Sequence, residues 1–278
     1  QLNNNITRTN SNITINGAVT VGGYATVSSG TGTLSITGAV NSGGSGSTYY
    51  SLTKAGTGAT TFGSTVGATR NLATLTTGGA TTINGNVTTR TTQSYGGALT
   101  VNANAVLSTA TAANVTISGA TTLAGTLGIT NTTGQVTTGN IDGAFAFTRT
   151  GTGATSFGVI GGTTPVASVT VTGAAPVTLN GNVSTTGAQA YGGAVTIASA
   201  TTISGTTLTV TGTTTLNNSL SVGATGLATF TGAMNGANGF TRTGGGATTF
   251  SAALGGSTAL TTFDATAGRV ATGRNLTT

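Results

Sequence analysis

Four cations of this 278-residue chain occupy one recurring context: Ile6-Thr-Arg8-Thr-Asn10, Leu52-Thr-Lys54-Ala-Gly56, Phe147-Thr-Arg149-Thr-Gly151 and Phe240-Thr-Arg242-Thr-Gly244. They are half of its eight cations, and the only carboxylate side chains are Asp142 and Asp264. The sequence holds no Glu, His, Cys or Trp. Without His or Cys there is no Ser/His/Asp triad, no thiolate nucleophile and no zinc site of the usual kind. Glycoside hydrolysis generally needs two carboxyl groups within about 10 Å, and the two here lie 122 residues apart. No catalytic residue, metal site or cofactor is therefore expected, and the chain reads as non-enzymatic.

The cations at this position, Arg8, Lys54, Arg149 and Arg242, are spaced by 46, 95 and 93 residues. Such spacing predicts that they share one edge of a repeating structure. As a candidate basic edge they would meet an anionic glycan, lipid headgroups or a neighbouring chain. The competing reading is solubility, since isolated Lys and Arg blunt the association of sheet surfaces. Two tyrosines are also equivalent, in Gln93-Ser-Tyr95-Gly-Gly and Gln189-Ala-Tyr191-Gly-Gly. Tyr95 and Tyr191 are expected to stack within the core or along one edge, and are the candidate exposed aromatic contacts if a sugar ring is to be stacked. Nucleic acid is not an expected partner. Eight cations spread along the chain give a low charge density, and no basic-aromatic cluster is visible in the sequence.

The elements that must position these residues are short strands. Apolar and hydroxyl residues alternate in Ile13-Thr-Ile15, Val19-Thr-Val21, Leu34-Ser-Ile36, Val169-Thr-Val171 and Leu208-Thr-Val210. This is the period of a half-buried strand with Thr facing outward. Each run stops at a small-residue corner, often apolar-(Thr/Ser/Asn)-Gly, giving a strand-and-corner unit of about 7–8 residues. Gly (48) and Thr (71) together make 119 residues, which argues against extended helices. With 4% charged residues and two prolines the chain is unlike a disordered one. No apolar run approaches the length of about 18 residues that a membrane helix needs, and the strands are shorter than the 9–11 residues or so of a membrane barrel.

A longer period overlies the short one. Thr57-Gly-Ala-Thr-Thr-Phe62 returns as Thr152-Gly-Ala-Thr-Ser-Phe157 after 95 residues, and Gly246-Ala-Thr-Thr-Phe250 follows after 93 more. Ile83-Asn-Gly-Asn-Val87 returns as Leu179-Asn-Gly-Asn-Val183 after 96. The pattern predicts an all-β fold, a β-solenoid (β-helix), with two or three strands per rung and three preferred. The expected organisation is a single continuous solenoid over 1–278. It would hold a partial superrepeat 1–51, superrepeats 52–146 and 147–239, and a partial superrepeat 240–278. The first residue is Gln1, which reads as a processed product or an excised segment. The two partial segments together approximate one superperiod, so a second copy following head to tail would keep the register.

The stretch from Ala154-Thr-Ser-Phe157-Gly158 through Asn180-Gly-Asn-Val183 to Gln189-Ala-Tyr191-Gly-Gly-Ala-Val-Thr-Ile197 resembles the Gly/Thr-rich β-strand repeats of large bacterial surface adhesins. These are the filamentous-haemagglutinin-like and autotransporter-passenger-like proteins. The resemblance spans nearly the whole chain and concerns repeat grammar rather than a site. It implies export to a bacterial cell surface, a β-solenoid stalk, and adhesive or matrix roles. The expected partners are the chain itself, as a head-to-tail homopolymer or a longer array, and cell-surface glycans or anionic matrix. The alternative function is a glycan-binding module.

Overall fold

A computed structural model describes residues 1–272; Arg274 and the end of the last partial superrepeat lie outside the described residues. The described chain is all-β, without a helix, and winds as a parallel β-solenoid of about 13 turns in all. Two compact units, 1–139 and 140–278, each have this architecture.

In the first unit each turn contributes to three faces. One face is built from Ile6–Thr7, Ala25–Ser28, Leu52–Ala55, Leu75–Thr77, Gln93–Tyr95, Val115–Ile117 and Val136–Thr138. The second runs from Ile13–Ile15 through Leu34–Ile36, Thr60–Phe62, Thr81–Ile83 and Leu99–Val101 to Thr121–Leu123. The third runs from Val19–Val21 and Val40–Ser42 through a bridge at Val66 to Val87–Thr89, Ala105–Thr109 and Leu127–Thr130. Every neighbour is parallel, because each strand pairs with its counterpart one turn later. Turns range from 18 residues, between Thr77 and Tyr95, to 27, between Val27 and Lys54.

The second unit repeats the plan. Phe147–Thr150, Val169–Thr172, Gln189–Tyr191, Leu208–Val210, Ala228–Phe230, Thr248–Phe250 and Val270–Thr272 make one face. Thr155–Phe157, Val177–Leu179, Val195–Ile197, Thr214–Leu216 and Met234–Asn235 make another. Ile141–Asp142, a bridge at Ile160, then Val183–Ser184, Thr201–Ser204, Leu220–Val222, Gly239–Arg242 and Thr262–Asp264 make the third. Its turns span 18 to 23 residues. Three strands per turn is thus the observed arrangement.

The superperiod is not a whole number of turns. From Arg149 to Arg242 the chain passes fourteen strand positions, counting the bridge at Ile160, which is four and two-thirds turns at three per turn. Arg149 and Arg242 consequently stand on different faces, as do Phe157 and Phe250. Sequence equivalence here means the same local strand-and-corner geometry, not the same face of the unit.

The interior alternates with the strand, as the pleat requires. Leu34, Ile36, Leu52, Leu75, Ile83, Leu99 and Val101 are buried in the first unit, and Phe147, Phe157, Val169, Leu179, Tyr191 and Ile197 in the second. Threonine does not only face outward. Thr60, Thr77, Thr81, Thr89 and Thr121 are buried in the first unit, and Thr155, Thr201, Thr214 and Thr248 in the second. A threonine methyl fills a narrow core as a small branched hydrophobe, and some hydroxyls find partners, as Thr81 Oγ1 does by donating to Thr77 Oγ1 at 2.7 Å. That explains how a chain with so few large apolar residues sustains a core. Aromatic rings pack within it: Phe147 meets Phe157 edge-on at 5.4 Å, and Phe230 stacks on Phe250 at 5.2 Å.

Corners stack as tightly as strands, and this accounts for most of the glycine. Among the described residues eleven glycines have positive φ, a minority of the glycine there. More often a side chain is excluded by the turn before. A Cβ on Gly58 would lie 1.8 Å from the Gly32 carbonyl oxygen, whereas one on Gly245 would meet nothing within 4 Å. Gly58→Ala should cost about 1–3 kcal/mol through overpacking, while Gly245→Ala should be neutral or stabilising by about 0.5 kcal/mol. Urea unfolding midpoints of the two variants test this contrast.

Candidate functional site

The expected basic edge is not an edge. Arg8 is exposed. Lys54, Arg149 and Arg242 are 1%, 0% and 1% exposed, among the largest fully buried side chains of the protein. Each shares inward parity with the apolar residue two before it and ends its strand's inward row. The physical reason for burial lies in corner carbonyls, those of the bend that follows and, for Arg242, also those of the turn before. Lys54 Nζ donates to the carbonyls of Ala55 (2.8 Å) and Gly58 (3.3 Å). The Arg149 guanidinium donates to the carbonyls of Thr150 and Gly153. Arg242 donates to those of Val222, Ala224, Gly226 and Gly246, at 2.6–3.1 Å.

In all three, the cation reaches the carbonyl of the glycine four residues on: Gly58, Gly153 and Gly246. The local motif is a cation followed by x-Gly-x-Gly, whose bend turns carbonyl oxygens inward. Arg8 precedes Thr-Asn-Ser-Asn instead, with Asn10 at φ 48°, and stays outside. Burial depresses the pKa of Lys54, Arg149 and Arg242, the sign expected for a cation removed from water. Carbonyl dipoles offset that cost by direct charge-assisted bonds. These three cations are part of the fold's interior and offer nothing to a partner.

Tyr95 and Tyr191 are likewise buried, both at 0% exposure, and not available to a sugar. Tyr95 donates its hydroxyl to Gln93 Oε1 at 3.0 Å, and Gln93 Nε2 donates to the carbonyls of Val87 and Ser108. Tyr191 and Gln189 repeat this arrangement, with Val183 and Ser204 as the acceptors. The Gln-x-Tyr motif is a satisfied polar network inside the solenoid. Burial pushes both phenols well above their ordinary value.

The carboxylates are apart and structurally engaged. Asp142 and Asp264 lie on one face of the second unit, six turns apart, or roughly 29 Å at the interstrand spacing. Asp142 Oδ1 accepts from the amides of Thr163 (2.7 Å) and Thr164 (3.2 Å). Asp264 accepts from the Thr266 amide, which holds its carboxyl below the usual range. Asparagines do the same work elsewhere. Asn12, Asn86, Asn104 and Asn182 each accept, through Oδ1, an amide 20 to 22 residues on, stapling one corner to the next.

One surface cluster does bring chemistry-bearing side chains together. It sits in the first unit, where the 27-residue turn carries an extra Ser/Gly-rich segment, 43–48, ending in Tyr49-Tyr50. Tyr24 is 72% exposed and stands edge-on to Tyr50, with ring centroids 5.6 Å apart. The guanidinium carbons of Arg70 and Arg90 lie 4.5 and 4.8 Å from the Tyr49 ring centroid, within cation–π range. Arg70 Nη2 also donates to the carbonyls of Gly46 and Thr48, both at 2.8 Å, fixing the segment. The Tyr50 amide donates to Ser42 Oγ at 2.9 Å. These residues come from four successive turns, so nothing in their sequence spacing joined them. The available signal was the tyrosine doublet after an insertion that lengthens one turn.

Comparison of the chain with protein-family models, curated proteins and solved structures finds no match.

Two outcomes check the interior. Arg242→Met should lower stability by about 2–3 kcal/mol, since charge-assisted bonds to buried carbonyls are lost, while Arg242→Lys should recover part of the loss. The alkaline limb of stability should belong to the buried tyrosines. Above pH 10.0 the unfolded chain loses phenol protons that the folded chain retains. The unfolded state then binds fewer protons, and stability falls by about 1.4 kcal/mol per pH unit for each tyrosine. Lys54 acts with opposite sign, raising stability as pH climbs from its lowered folded value toward 10.5 and adding nothing further above that. Urea midpoints measured from pH 9 to 11.5 or so should therefore fall most steeply above 10.5, and the Tyr95→Phe/Tyr191→Phe double variant should flatten that limb.

Proposed function

We propose that this protein is a non-enzymatic structural element, a β-solenoid stalk or fibre subunit of an extracellular or cell-surface assembly, with an adhesive or matrix role. The observation that carries this reading is the use to which the polar groups are put. The buried cations, Gln-x-Tyr pairs, carboxylates and many asparagines bind main-chain groups or one another, holding turns together. A narrow interior filled by Val, Leu, Ile, Phe and Thr leaves the chain to act through its length and surface.

Head-to-tail continuation suits the same geometry. In the first unit Ile13–Ile15 pairs on one side, with Leu34–Ile36. Beside it a small cleft lined by Leu2, Ile6, Ile15 and Val19 opens onto the core. Strand edges of this kind accept a further parallel strand, whether from a longer array or from a second copy. The resemblance to bacterial adhesin repeats agrees with such a role.

Solution sizing with negative-stain imaging tests the proposal. Rods that lengthen with concentration, or rods of fixed width within a longer parent chain, are expected. A compact monomer that never assembles, with no longer parent, would sink the reading.

A further inference from the structure

The cluster of Tyr24, Tyr49, Tyr50, Arg70 and Arg90 has a use that the stalk does not require. Strand register places Ala25, Leu52, Leu75 and Gln93 in consecutive turns of one face. The cluster residues precede these positions, so they form a line along one corner, over about three interstrand steps or roughly 14 Å. At one end Tyr24 presents a ring braced by Tyr50. Toward the other, Arg90 is exposed and its guanidinium rests against the Tyr49 ring. Residues 1–139 contain no Asp or Glu, so neither Arg70 nor Arg90 has a carboxylate partner within its unit. The Nε atom of Arg70 is buried without a hydrogen-bond partner.

The geometry points to a binding site for an acidic glycan, a sugar chain bearing carboxylate or sulfate groups, with a sugar ring against Tyr24 and an acid group on Arg90. Three features select this class. A fixed, exposed aromatic ring offers an apolar face and a polar tip at low entropic cost. A guanidinium engages a carboxylate or sulfate through two parallel donors. The surrounding corner residues, Ser45, Ser47, Thr48 and Thr69, supply neutral hydroxyls suited to a ligand rich in hydroxyls. One exposed arginine braced by another serves an acid group of the ligand, whereas a nucleic-acid tract draws on a longer basic groove.

The site is independent of the stalk reading, because glycan binding can hold where assembly fails and the reverse. Calorimetric titration of the purified chain tests it with four probes: an oligogalacturonate, a heparin oligosaccharide, a neutral galacto-oligosaccharide and an oligothymidylate of similar length. Saturable binding of at least one acidic sugar is expected, and which of the two binds distinguishes carboxylate from sulfate. Affinity should fall about tenfold in Tyr24→Ala and in Arg90→Ala, and should weaken with added salt. Both side chains are exposed, so the variants should keep the wild-type circular dichroism and urea midpoint. Arg8→Ala, outside the cluster, should bind as wild type. Absence of binding to either acidic sugar overturns the proposal. So do equal binding of the neutral sugar, tighter binding of the oligothymidylate, or unchanged affinity in Arg90→Ala.

Discussion

The structure depends on one constraint: every strand must hydrogen-bond to the same segment one turn away, in parallel and at a fixed rise. A parallel ladder of this kind places each residue directly over its predecessor, as Thr81 over Thr60 and Leu99 over Thr81. Interior side chains must then fit one above another, and corners must stack as closely as strands. The composition follows. Glycine is favoured where a carbonyl of the previous turn occupies the space of a Cβ, and threonine serves on either side of the sheet. Many asparagines, and Asp142, sit where an amide one turn on needs an acceptor.

The same constraint explains why charge is buried in a protein with so little of it. A sharp corner turns carbonyl oxygens toward the end of the strand's inward row, where a buried side chain can reach them. Lys54, Arg149 and Arg242 fill that role with donors alone, and no carboxylate is needed. Unpaired buried charges are ordinarily costly, and here the dipoles of the corner stand in for the counter-ion. Stability thereby becomes tied to the x-Gly-x-Gly bend that follows each cation.

Much of the fold was legible in the sequence, because alternation in segments such as Ile13-Thr-Ile15 reports strand period directly, and recurring corners report winding. The phase of the superrepeat was not. Corner lengths vary between turns, so 93 residues separate Arg149 from Arg242 without returning to the same face. The inward parity of Lys54 was readable, but its burial depended on carbonyls supplied by a bend, which no residue type advertises. Core stacking of Tyr95 and Tyr191 was readable from their repeat positions, but not the inward Gln93 and Gln189 that satisfy their hydroxyls. The cluster around Tyr49 was hidden for another reason: it joins residues from four turns, and the lengths of the intervening corners decide whether they meet.

Amide hydrogen exchange resolved by residue tests the central claim most directly. If corners are bonded from turn to turn as strands are, protection should continue through them. Gly96, which donates to Thr77, and Ser118, which donates to Tyr95, should exchange as slowly as the adjoining strand amides. Gly192 and Thr211, which donate to Val171 and Tyr191, should do the same in the second unit. Rapid exchange at these corners beside protected strands would contradict the account, since it would mean that the turns are joined only along their faces.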